Sequence, residues 1–241
     1  VNGVANAIHN EVSGVINLNS GNMVFNDAIT GSGTINIKTS GNINFNDLVS
    51  AKNVKMTAGN LELKSGAELG GVQDFVMNGG VLNVDDKTIS LKNATFNDGS
   101  TVAIKVKSNG NGLINADSLT VNGGSLKATL GQGIVEKGSK TVTLLKSGTA
   151  FVDNFDSVAD NNMYRFEKAE KAGDYIISLA KTAEEVSQEN GGTKNNADAA
   201  KGWVDGDKFA DGTTSADVAD KLADLAQNDA KGFNEALSAL A

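Results

Sequence analysis

"GNMVFND" occupies Gly21–Asp27 and "GNINFND" occupies Gly41–Asp47. Six of the seven positions pair identical or apolar residues, at an offset of 20. A phrase repeated at that distance has an architectural reading before a catalytic one, because a period of 20 to 50 residues marks a repeat fold. The surrounding chain returns to one pattern: apolar-x-apolar, a glycine corner, apolar-x-apolar. It reads "INLNSGNMVF", "INIKTSGNINF", "VKMTAGNLEL", "FVMNGGVLNV", "ATFNDGSTVAI" and "LTVNGGSLKA".

Aligned on the corner, Met23, Ile43, Leu61, Leu82, Val102 and Leu126 form one column, and Phe25, Phe45, Leu63, Val84, Ile104 and Ala128 the next. The steps are roughly 18 to 24 residues. Each piece alternates apolar and polar residues over three to five positions, which is strand periodicity. Gly, Asn, Asp and Ser punctuate the pieces and are expected to take the tight or left-handed backbone of the corners. No single hairpin could bury so thin an apolar stripe. Coiling the chain solves this, since each strand then pairs in parallel with its equivalent one coil later and the columns stack at about 4.8 Å. An antiparallel sandwich accounts for the strand spacing but not for the column identities. Residues 1–130 are therefore predicted to be parallel β-helix coils.

After about Gly131 the pattern changes. "YRFEKAEKAGDYIISLA" reads as a hairpin of Tyr164–Glu167 and Tyr175–Leu179 turning at "KAGD". Aromatic residues gather there, and residues 131–181 are predicted to cap the raw edge of the last coil. The stretch from 182 to about 203 is polar and rich in Gly and Asn and reads as a linker. Beyond it, Val218, Leu222 and Leu225, then Phe233, Leu237 and Leu240, fall at helical spacing, with Ser215, Asp217, Asn228 and Asp229 as candidate caps. The residues expected to carry core and cap are Phe25, Phe45, Phe96, Tyr164, Phe166, Tyr175 and Ile177.

Composition narrows the function classes. The chain has 241 residues, 39% of them hydrophobic and 5% aromatic, with 28 Gly, no Pro and no Cys. Without Cys there is neither a disulfide framework nor a thiolate metal site. The net charge is −8, and nearly all of it lies in residues 182–241, where 12 acidic residues face 5 basic ones. That balance, with Arg165 as the one arginine, argues against nucleic acid or an anionic membrane as partner. No apolar run reaches membrane-spanning length and Val1 opens no signal peptide. The chain reads as a portion of something longer.

Candidate chemistry is sparse. His9 is the single histidine, so a metal site or a Ser/His triad would depend on it alone. "DGDKFADG" at Asp205–Gly212 resembles a calcium loop but puts Phe209 and Ala210 where a fifth-position ligand and a glycine belong. Asp27, Asp47 and Asp98 each follow Phe-Asn and read as turn residues. Asp85 and Asp86 are adjacent and so point to opposite sides of a strand. No catalytic, cofactor or metal residue is expected, and no small-molecule substrate.

The order of parts resembles the C-terminal part of a type V secretion autotransporter passenger. The resemblance is carried by "FNDGSTVAIKV" (Phe96–Val106), "LTVNGGSLKATL" (Leu119–Leu130), the hairpin "YRFEKAEKAGDYIISL" (Tyr164–Leu179) and the closing "NNADAAKGW" with "VADKLADLAQNDAKGFNEALSAL". It implies a right-handed parallel β-helix, an autochaperone region at its C-terminal end and a helical linker leading to an outer-membrane β-barrel that is absent here. It also implies a secreted or cell-surface location, with the chain's own barrel as partner and room for host-surface contacts or self-association. The function so implied is a structural stalk and folding module, part of an adhesin for instance. The alternative is a fragment of a glycan-active β-helix lyase or hydrolase, which would need clustered carboxylates on one face and aromatic residues for sugar stacking.

Overall fold

The computed structural model describes residues 8–63, 67–107, 110–131, 138–206, 209–210 and 212–240. It is a parallel β-solenoid of about six turns followed by short helices. The chain folds as two units. The first comprises Val1–Ile104, Gly112–Lys127 and Leu144–Ser157; the second comprises Lys105–Asn111, Ala128–Thr143 and Val158–Ala241.

Three strand faces make each coil of the first unit. On one face the parallel register runs Val15, Thr34, Asn53, Asp74, Asn93, Ser118. The inward residues of that face stack as Ile16, Ile35, Val54, Phe75, Ala94 and Leu119, and from Ile35 onward none is more than 3% exposed. The second face carries the Met23, Ile43, Leu61, Leu82, Val102 column in that register. The third face is a ladder of backbone bonds, with the amides of Ile8, Ile29 and Val49 donating to the carbonyls of Ala28, Leu48 and Glu68 at 3.0, 2.9 and 2.8 Å. Each column residue is buried by the coil on either side of it, so apolar residues spaced one coil apart suffice for a continuous core.

The second apolar column slips once. Phe25, Phe45 and Leu63 are in register, but Ile104 pairs with Asp85 and not with Val84. A bulge lies there, and Asp85 at its end has φ 52. Asp85 and Asp86 thus stand at a strand end and a turn, not on opposite sides of a regular strand.

The corners divide labour differently from the sequence expectation. Among the described residues Asp85 is the one non-glycine with positive φ. The left-handed positions between the first two faces fall to glycines such as Gly59 (φ 94) and Gly80 (φ 82). A Cβ on Gly80 would also meet the Gly59 carbonyl at 2.8 Å, so coil stacking itself demands glycine. The asparagines do another job: their side-chain amides pair coil to coil. Asn46 donates to Asn26 at 2.7 Å, Asn97 to Asn78 at 2.7 Å, Asn122 to Asn97 at 2.8 Å and Asn36 to Asn17 at 2.9 Å. An amide carries both donor and acceptor, so one residue type can extend such a ladder indefinitely at strand spacing.

The second unit contains an antiparallel sheet of Ser139–Thr143, Asp174–Leu179 and Tyr164–Lys168, in that spatial order. Its helices are α1 (Ala183–Glu189), α2 (Lys194–Ala200), a π-helical turn Lys201–Asp205, α3 (Thr214–Asn228) and α4 (Ala230–Leu240). The region read as linker is therefore largely helical. Thr182 and Glu185 form a capping box on α1, and the Thr193 and Thr213 hydroxyls cap α2 and α3. Ser215 lies inside α3, while Asp229 Oδ1 accepts from the Gly232 amide at 2.9 Å at the start of α4. The helices bury mostly small residues, Ala183, Ala197, Ala200, Ala219, Ala223 and Ala226 among them, with Phe233 and Leu237 as bulkier anchors. The sequence boundaries at 130/131 and 181/182 differ from those of the units: Leu144–Ser157 belongs with the coils, and the helices share a unit with the hairpin. No described helix is long and apolar enough to cross a membrane.

Candidate functional site

Among the seven residues expected in core and cap, Phe45 and Phe96 are fully buried in the coils. Phe25 is only half-buried, with its ring centroid 5.4 Å from that of Phe45. Phe96 contacts Phe75 and Phe155 at 6.4 and 5.9 Å, making an aromatic stack inside the first unit. In the second unit Tyr164, Phe166, Tyr175 and Ile177 are buried along one face of the antiparallel sheet, with Phe166 paired directly to Ile177. Burial, and after it the negative charge of Asp205, raise the Tyr164 phenol well above its ordinary range.

The described polar side chains of the coils stand in ladders and turns. His9 is exposed, with Nδ1 3.1 Å from the Thr30 hydroxyl and Nε2 3.5 Å from Glu11. Asp47 accepts from the Leu48 amide at 2.7 Å, and Asp74 accepts from Asn93 at 2.9 Å. Among the described residues no three His, Asp or Glu side chains gather closely enough to hold a metal. The candidate calcium loop falls partly on Asp207, Lys208 and Asp211, which lie outside the described residues. A cleft of about 190 Å³ between Leu63, Leu69, Lys87 and Ile89 is smaller than the roughly 300–1,000 Å³ of ligand pockets. Lys87 Nζ donates to the Leu63 carbonyl at 2.7 Å there.

A cluster of buried polar groups lies in the second unit, at the end of strand Ser125–Leu130. In a parallel strand, successive residues direct their backbone groups to opposite sides. The Gly131 amide donates to the Val106 carbonyl at 2.8 Å, so the groups of Leu130 face the other way. Gln227 of α3, 2% exposed, takes them. The Leu130 amide donates to Gln227 Oε1 at 2.8 Å, and Gln227 Nε2 donates to the Leu130 carbonyl. The side chain is used to capacity: Nε2 also donates to the Ala223 carbonyl at 2.9 Å, and Oε1 accepts from Asn161 Nδ2 at 3.0 Å. Around it the Asn162 amide donates to the Gln227 carbonyl at 3.0 Å, and Lys107 lies 3.9 Å from Asp220.

Two further clasps tie the helices together. Both Asp205 carboxylate oxygens accept backbone amides at the start of α1, from Ala183 and Glu184, each at 2.8 Å. Burial raises the Asp205 pKa, these two bonds hold it down, and the charges of Glu184 and Glu185 push it up; the net direction is up. Asn234 of α4 donates to the carbonyls of Ser187 and Asn190 at 3.2 and 3.1 Å and accepts from the Ser187 hydroxyl at 2.6 Å. Sequence reasoning missed all three clasps. A partial signal existed for Gln227, a polar residue standing in the alanine stripe of α3. No family model matches the chain, and no curated protein and no solved structure matches it.

Proposed function

We propose that this chain is a structural stalk and folding module of a secreted or cell-surface bacterial passenger, exported by type V secretion with an outer-membrane β-barrel as its partner. The stalk role is supported by coils that devote their inward residues to apolar columns and many of their outward ones to asparagine ladders. The folding role rests chiefly on one observation: the second unit, built on a local antiparallel hairpin, satisfies the outward backbone groups of Leu130 through Gln227. A hairpin forms from local contacts and so is suited to fold before the long-range parallel coils. A strand end closed in this way offers no free backbone groups at Leu130 for another chain to pair with.

The test is surface display. The chain is placed between a signal peptide and an outer-membrane barrel, beside a version that joins the barrel after Ser157. The intact chain is expected on the cell surface as protease-resistant coils. The shortened chain is expected to reach the surface and be degraded. Retention of the intact chain inside intact cells overturns the export reading. Equal protease resistance of the two versions overturns the folding role.

A further inference from the structure

We propose that Gln227 is a strand-end lock: at Leu130 one helix-borne amide takes the place of a neighbouring strand, so that docking of α3 and completion of the strand end Ala128–Leu130 are a single two-state event. This deepens the folding role above and rests on it for its biological meaning, but not for its chemistry.

A buried strand end must find partners for its outward N–H and C=O. At Leu130 these partners are the two polar atoms of a single side chain, in the reciprocal donor-and-acceptor arrangement a neighbouring strand would supply. The same Oε1 holds Asn161, and the adjoining backbone holds Asn162, whose amide and side chain donate to Gln227 and Ala226 at 3.0 and 3.1 Å. Asn161 in turn orders the hairpin: its Oδ1 accepts from the amides of Met163 and Tyr164 at 3.0 and 2.8 Å. Strand end, hairpin entry and α3 therefore meet on one amide. Apolar packing cannot replace it, because an isosteric apolar side chain leaves the Leu130 groups and Asn161 without these partners.

The test is residue-resolved amide exchange on the whole chain. Gln227→Met keeps the length and removes the polar atoms. It is expected to speed exchange at Leu130 roughly tenfold or more, together with α3, while the amides of the Ile35 to Leu119 stack change less than about twofold, as expected for locally independent opening. Gln227→Glu separates hydrogen bonding from packing. As a carboxylate it cannot donate to the Leu130 carbonyl, so exchange at neutral pH is expected to be as fast as in Gln227→Met. As a neutral acid it can donate and accept again, so protection at Leu130 is expected to return on acidification. The charged neighbours Asp220, Asp224, Lys107, Asp160 and Arg165 are common to all variants, and the wild type at each pH is the control.

Unchanged Leu130 exchange in Gln227→Met overturns the lock. Failure of Gln227→Glu to recover in acid, while the wild type stays protected, reduces the residue to packing and also overturns it. If Gln227→Met does not fold, Asn161→Ala removes one of the four bonds, and a smaller acceleration at the same amide is required. None of these outcomes touches surface display, so failure of the lock and failure of the export reading are told apart.

Discussion

Ile35, Val54, Phe75 and Ala94 stand in line one coil apart, and each does what its neighbours do. Gln227, Asn234 and Asp205 each satisfy a different local set of backbone groups. The first unit is stabilised by repetition of a cheap interaction, the second by single polar clasps among small helices. Repetition spreads stability along nearest-neighbour interfaces, so an insult to the core is felt by the adjoining coils. A clasp concentrates stability, so its loss should release a defined piece.

The sharpest way to break the first regime is Phe45→Asp. Phe45 is 1% exposed, between Phe25 and Leu63 in its column. An unpaired carboxylate there should cost about 4 kcal/mol or more, read by urea unfolding, and strip exchange protection from the coils on both sides. A loss confined to residue 45 and its immediate neighbours would contradict the shared-column account.

The second regime is probed by Asn234→Ala. Removing this amide takes from the fully buried Ser187 hydroxyl and from the Asn190 carbonyl the partner it supplies, while the Ser187 carbonyl keeps the Asn190 and Gly192 amides, at a cost of about 1–3 kcal/mol. Trp203, the one tryptophan, lies in the helical region and reports on it. The tryptophan signal should melt earlier while coil amides keep their protection. Simultaneous loss in both units would mean that the clasps and the columns are not separable.

This contrast also governs what could be read from the sequence. Columns are legible because a fixed offset repeats: Met23, Ile43, Leu61, Leu82 and Val102 align by eye and pair in register. The slip at Val84 was not legible, since a bulge changes the register without breaking the apolar alternation. Asparagine has a propensity that suits left-handed corners, yet among the described residues glycine takes those between the first two faces and asparagine pairs between coils. Helices α1 and α2 are not legible in the sequence because seven residues give barely two turns, too few for a 3.6-residue period to stand out among Gly and Asn. Their caps at Thr182 and Thr193 were the readable signal. A clasp such as Gln227 has no period at all; its partner is a backbone 97 residues away.

Acidity distinguishes the units more gently. Asp205 has a raised pKa in the folded protein, so the folded state holds its proton more tightly than the unfolded chain does. Its contribution to stability is therefore greatest at low pH and is lost as the pH rises from about 4 through the raised value. The stability of wild type minus that of Asp205→Asn, followed by thermal melts of the tryptophan signal, should shrink across that window. A difference that grows with pH would mean the two backbone bonds from Ala183 and Glu184 outweigh burial and the neighbouring carboxylates.

The smallest expected effect comes from the repeated phrase itself, where two adjacent residues make a matched pair. Asp47 is exposed, and its Oδ1 accepts from the Leu48 amide at 2.7 Å. Asp47→Asn keeps that acceptor, so stability should stay within about 0.5 kcal/mol. Asn46 is half-buried, and its Nδ2 donates to Asn26 Oδ1 at 2.7 Å. Asn46→Asp makes the same exchange of atoms in reverse, but replaces a donor with a second acceptor facing a carbonyl oxygen. It should cost about 1 kcal/mol or more. Urea midpoints of the two variants measure the difference between a turn residue and a ladder rung written side by side. Equal midpoints would mean that the ladder bonds exchange freely with water and that the columns alone hold the coils. A large loss at Asp47 would give that carboxylate a role that neither its turn nor its exposure explains.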